Sequence, residues 1–211
     1  MNKEEFYNEI KKLGIELDKK KKEKLHKFYK ILIEENKKIN LTRIVEEEEV
    51  YLKHFYDSLT IVKEVDLTKI NTLCDVGTGA GFPGIVLKIV FPNLKITLID
   101  SLQKRVNYLN ETIKKLELSN IEAIHTRSED YKNEFDVVTA RAVAALEKLI
   151  NWCMHLVKKQ GIFVAMKANI DNELDIKEKV FIKNKCKIEK INKFTLPKEE
   201  SNRALVIIRK S

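Results

Sequence analysis

The sequence predicts an α/β fold in which a mostly parallel sheet carries helices on both faces and is preceded by a helical extension. Three observations carry this reading. From Thr72 onward, short apolar runs rich in β-branched residues alternate with helix-patterned segments. Before that point the periodicity is helical only. Where the alternating region passes from its first strand to its first helix, Leu73 to Gly84 reads LCDVGTGAGFPG and holds four of the chain's six glycines.

The elements follow in order. Asp18 is an N-cap candidate, and Leu25, Phe28, Tyr29, Leu32 and Ile33 form an amphipathic stripe behind it. The stretch NKKINLT breaks that helix, and a second helical run begins near Glu46 with Tyr51, Phe55, Leu59 and Val62 on one side. The pattern changes between Val62 and Asn71, which divides the chain into a helical extension over residues 1–65 and an alternating domain over 66–211. In that domain TLCDV, KITLID, IEAIHT, FDVVTAR, GIFVAMK and RALVIIRK read as strands. PGIVLKIVF, SLQKRVNYLNETIKKLEL, ALEKLINWCMHLVKKQ and DNELDIKEKVFIKNK read as helices. Repeated strand–helix alternation implies parallel strands covered on both sides.

Composition sets outer bounds. The chain has 211 residues, a hydrophobic fraction of 44% and no apolar run near membrane-spanning length. Its charged N-terminus lacks the apolar centre of a secretion signal, so a cytoplasmic location is expected. Cys74, Cys153 and Cys186 are widely spaced among apolar neighbours and read as reduced core thiols, with no metal site. A formal net charge of +8 suits a polyanionic partner, although lysine-rich background composition accounts for it equally well. Nothing demands more than a monomer.

In a doubly wound sheet, the turn after the first strand aims a helix N-terminus at the ligand crevice. Gly77, Gly79 and Gly81 are placed in that turn, with Pro83 near the first helical position. Asp100 ends the second strand, where a carboxylate can accept both hydroxyls of an adenosine ribose. A nucleotide is the expected guest. The segment GAGFPG also satisfies the dinucleotide pattern GxGxxG, a weak signal by itself. Asp75, two residues before the first glycine, and the strict Asp-x-Gly-x-Gly-x-Gly alternation argue against a nicotinamide cofactor.

That alternation resembles the S-adenosylmethionine loop of class I methyltransferases, whose Rossmann-like sheet has seven strands. The resemblance implies that Asp75 and the glycine loop serve the cofactor, that Asp100 holds its ribose, and that the Thr126–Asp130 segment lies near its adenine. After the fourth strand, VVTARAVAAL carries neither the Pro-Pro-aromatic motif of exocyclic-amine methyltransferases nor a Pro-Cys pair for a thiolate nucleophile. What remains is an acceptor that is already nucleophilic, such as guanine N7, for which positioning and electrostatics suffice.

The blocks NLTRI, HFYDSL, LCDVGTGAGFPGIVLKIVFP, TLIDSLQKRVNYL and VVTARAVAAL, in that order, are similar to the RsmG family, formerly called glucose-inhibited division protein B. Members methylate one guanine at N7 in bacterial small-subunit (16S) ribosomal RNA. The resemblance implies a cofactor site of Asp75, Gly77, Gly79, Phe82, Asp100, Ser101, Leu102, Ser128, Glu129 and Arg141. Arg141, His54 and Asp57 are the expected catalytic residues. Asn40, Arg43, Ser58 and Lys167 are the expected RNA contacts. His54, Asp57 and Ser58 share one helix face by spacing, equally compatible with a purely structural contact. Thr42 could contact RNA with its neighbours but reads more readily as a cap for the following helix, and Trp152 reads as core. Two rival functions remain, a nicotinamide oxidoreductase and a non-catalytic RNA-binding assembly protein.

Overall fold

In the computed structural model, which describes residues 1–199 and 201–211, the alternating region forms one seven-stranded sheet. The strands are β1 (Thr72–Val76), β2 (Lys95–Asp100), β3 (Ile121–His125), β4 (Phe135–Arg141), β5 (Val157–Lys167), β6 (Cys186–Thr195) and β7 (Asn202–Lys210). Their order is β3-β2-β1-β4-β5-β7-β6. The first five are parallel, whereas β7 runs antiparallel to both β5 and β6.

Alternate residues of the central strands enter two separate cores, as the pleat requires. Leu73, Val137, Val164 and Ile207 face one cluster. Cys74, Val138, Phe163 and Ile208 face the other. Burial on both faces explains why these strands read as continuous apolar runs. Helices α5 (Gly84–Val90) and α6 (Gln103–Lys115) cover the first face, and α7 (Leu146–Cys153) and α8 (Glu178–Asn184) the second. All three cysteines are buried and free, and Trp152 packs half-buried on the second core.

The extension joins the first core and supplies much of it. Helix α2 (Lys19–Ile39) is capped by Asp18, whose side chain accepts from the Lys21 amide at 2.8 Å. It runs to Ile39 and ends at Asn40, which adopts φ 49°. The expected break therefore begins at Asn40 and not at Asn36, because Lys37 and Lys38 suit a helix's last turn. Helix α1 (Lys3–Lys12) escaped the sequence reading, although Asn2 and Glu5 form a reciprocal capping box and Phe6 and Ile10 are buried. The second helical run is α3 (Glu47–Val50), a π-helical stretch over Tyr51–Tyr56, α4 (Asp57–Leu59) and a closing 3₁₀ turn over Thr60–Lys63.

Three segments differ from expectation. Helix α7 stops at Cys153, and Val157 to Gln160, read as helix, open β5. Of the segment Asp171 to Lys185, only Glu178–Asn184 is α-helical. Strand β6 had no pattern of its own, because its lysine-rich sequence is that of an edge strand open to water.

Candidate active site

The glycine turn lies at the carboxyl ends of β1 and β2, the end of a parallel sheet where ligands bind. The amides of Gly77 and Thr78 both donate to the Ile99 carbonyl, and Gly77 holds φ 67°. A Cβ there would come within 2.7 Å of Val143, so only glycine fits. The Gly79 amide donates to Asp100 Oδ2 at 2.9 Å, while Oδ1 accepts from the Leu102 amide at 2.9 Å. Arg105 Nη1 adds a longer contact of 3.4 Å to the same carboxylate. No protein group among the described residues accepts the Ala80 amide.

Asp75 is placed differently from expectation. It is fully buried and turned into the loop, where Oδ2 accepts from Thr78 Oγ1 at 2.7 Å and from the Gly84 amide at 2.8 Å. Its role is to lock the turn, and it does not line the crevice. Burial pushes its carboxyl up to about 6 against the hydrogen bonds that favour its charge.

On the expected adenine side, Ser101, Leu102 and Glu129 are exposed and Ser128 is buried. The two segments are joined by the Thr126 amide donating to the Asp100 carbonyl and by a His125–Ser101 hydrogen bond. Ser128 Oγ donates to Glu129.

A crevice of about 380 Å³ opens beside the glycine turn, between it, the extension and the ends of β5 and β7. Arg141, at the end of β4, is its organising cation. Nη1 donates to the Lys53 carbonyl and to Asp57 Oδ2, each at 3.0 Å. Nη2 lies 3.1 Å from His54 Nδ1, and the guanidinium carbon sits 5.3 Å from the Phe82 ring centre. His54 stacks on Phe82 with centroids 4.4 Å apart. Burial, reinforced by Arg141, drives the His54 imidazole down to about 3, so it is neutral.

Several expected residues are not in the crevice wall. Ser58 is buried and donates at 2.6 Å to the His54 carbonyl inside its own helix. Asn40 and Arg43 are exposed, and the residues of their segment that line the crevice are Leu41, Thr42 and Ile44. Lys167 does line it, but its ammonium is held by the Ala144 carbonyl at 2.8 Å and Glu173 at 2.9 Å, leaving no free charge for a phosphate.

Sequence reasoning gave one participant a different favoured role and missed another. Thr42 does not cap the next helix; its hydroxyl pairs with His54 Nε2 at 2.9 Å. Arg203 Nε donates to Asp57 Oδ1 at 3.0 Å, so Asp57 bridges two arginines. Arg203 reaches the crevice because β7 is antiparallel, which sets its first residues beside the last of β5. A lone arginine opening an apolar strand was the available signal.

Residues 21–205 match the protein family described as rRNA small subunit methyltransferase G. The ribosomal RNA small subunit methyltransferase G of Bacillus subtilis is 46% identical over 217 aligned residues, covering 100% of this chain and 91% of that protein. The Lactobacillus helveticus protein of the same name is 48% identical over 219 aligned residues, with 100% and 91% coverage. Among solved structures, an S-adenosylmethionine-dependent methyltransferase from Aquifex aeolicus superimposes with a TM-score of 0.58 at 18% identity, covering 79% of this chain and 94% of that one. The ribosomal protein L11 methylase of Lactobacillus delbrueckii gives 0.58 at 19% identity, covering 75% and 79%. These structures share the fold.

Proposed function

The chain belongs to the rRNA small subunit methyltransferase G family, and we propose that it moves a methyl group from S-adenosylmethionine to N7 of a guanine in small-subunit ribosomal RNA. The family assignment favours neither the nicotinamide nor the non-catalytic reading.

The carrying observation is that, among the described residues, the crevice offers no free general base. Asp57 is held between Arg141 and Arg203, and Asp100 is engaged by the turn amides. His54 is neutral, with Nδ1 occupied by Arg141. An acceptor that must lose a proton before attack is poorly served here, whereas guanine N7 already presents a lone pair.

The site's donor set fits the proposed cofactor. Asp100 keeps a lone pair on Oδ1 for a ribose hydroxyl, exposed Leu102 offers an apolar face for adenine, and the Ala80 amide is available to a carboxylate. When bound, S-adenosylmethionine supplies a methyl group activated by its sulfonium. The protein's part is to align and to stabilise. Arg141, fixed by Asp57, the Lys53 carbonyl and His54, positions the incoming base. Asn40 and Arg43, exposed on either side of Thr42, take the RNA at the rim.

Incubation with tritiated cofactor and small-subunit RNA, free or in particles, should yield labelled 7-methylguanosine after nuclease digestion. Label absent from every RNA form would defeat the reading. Arg141→Lys, which cannot reproduce the guanidinium fork, should lower kcat/KM by about 100-fold.

A further inference from the structure

Hydrogen-bond polarity along one chain of side chains fixes the direction of a proton that the mechanism above does not use. A guanidinium only donates, so Arg141 Nη2, 3.1 Å away, makes His54 Nδ1 an acceptor. The imidazole is neutral, so its single proton sits on Nε2 and is donated to Thr42 Oγ1 at 2.9 Å. The Ile44 amide donates to the same oxygen at 3.1 Å. Both lone pairs of the hydroxyl are then filled, and it can act only as a donor. No protein group among the described residues accepts its proton, and Thr42 lines the crevice.

We propose that Thr42 reads the base to be methylated, its directed hydroxyl donating to the carbonyl oxygen on carbon 6 of the purine; this rests on the guanine-N7 reading. In a purine the six-position group adjoins N7 on the same edge. Guanine presents an acceptor there and adenine presents an amino donor. A hydroxyl free to reverse its polarity would serve either base. One locked as a donor accepts guanine and leaves two donors facing each other with adenine.

The cofactor's carboxylate is the less suited partner, because the unclaimed Ala80 amide of the glycine turn would hold it on the sheet side, whereas Thr42 belongs to the extension. Arg141 also gains a second function. Besides its own contacts it sets the His54 tautomer, and through it the Thr42 donor, which makes His54 a positioning residue.

The test compares small subunits carrying either guanosine or 2,6-diaminopurine riboside at the methylated position. Both bases offer N7; the second replaces the carbonyl with an amine. Wild-type protein should prefer guanosine by about 100-fold in kcat/KM, and Thr42→Ser should retain that preference. Thr42→Val should narrow it by about tenfold or more while leaving S-adenosylhomocysteine affinity, read by calorimetry, within about twofold. An unchanged preference in Thr42→Val, or a loss of S-adenosylhomocysteine affinity that accounts for the whole defect, would overturn the Thr42 assignment alone. Wild-type protein that methylates neither substrate would instead overturn the functional reading on which it rests.

Discussion

Asp75 shows how an acid at the head of a glycine turn can shape the turn without lining the crevice beside it. The Asp-x-Gly-x-Gly-x-Gly spacing drew attention to it as a cofactor contact, but its carboxylate is spent on Thr78 and Gly84, and its second oxygen is buried without a partner among the described residues. Burial lifts its folded pKa to about 6, above the unfolded carboxylate value. The folded state therefore holds the proton more tightly. This contribution to stability is complete below about pH 4 and is lost as pH rises through 6. Asp75→Asn keeps an acceptor for both donors and cannot ionise. Its melting temperature should fall less than the wild type's between pH 4 and 7.5, a relative gain on the order of 1–3 kcal/mol at the upper end. A parallel pair of curves would contradict the buried carboxylate.

At the scale of elements, the extension acts on the site through aromatic packing. Phe28 of α2 is fully buried, with its ring 5.7 Å from Phe55 and 5.3 Å from Phe82. Phe82 in turn carries His54 and faces Arg141. A helix remote from the sheet thus holds the glycine turn and the arginine in register. Phe28→Ala should cost about 3–5 kcal/mol in denaturant unfolding. It should also lower methylation per folded molecule, which a substitution acting on stability alone would leave unchanged. The π-helical stretch adds a local device. By presenting Lys53 and His54 to Arg141 within a widened turn, it lets a single helix place a carbonyl, an imidazole and a carboxylate around one guanidinium.

Across the whole molecule the positive excess is spread widely, but two of its exposed cations flank the crevice. Arg43 beside the crevice wall and Arg127 beside the expected adenine site are exposed, and neither has an ion-pair partner among the described residues. Attraction of this kind is screened by salt. If roughly four phosphates are neutralised, RNA affinity should drop by about 50-fold between 50 and 200 mM monovalent salt. Affinity for S-adenosylhomocysteine should shift far less. A salt-independent RNA affinity would remove the electrostatic account.

The strand–helix alternation, the glycine turn and the acid at the end of β2 were already written in the order of residues, because periodicity and backbone freedom are local properties. Arg141, His54 and Asp57 were legible from their motifs, and the structure brings them into contact. What each polar group faces emerged only once the chain was folded. Thr42 looked like a cap and Lys167 like a free cation, since neither the imidazole 12 positions away nor Glu173 can be seen from neighbouring residues. Arg203 entered the site through the antiparallel placement of β7, 146 positions from its carboxylate. A hydrogen bond is directional and short, so the partner that fixes a side chain's chemistry is set by the fold and not by spacing along the chain.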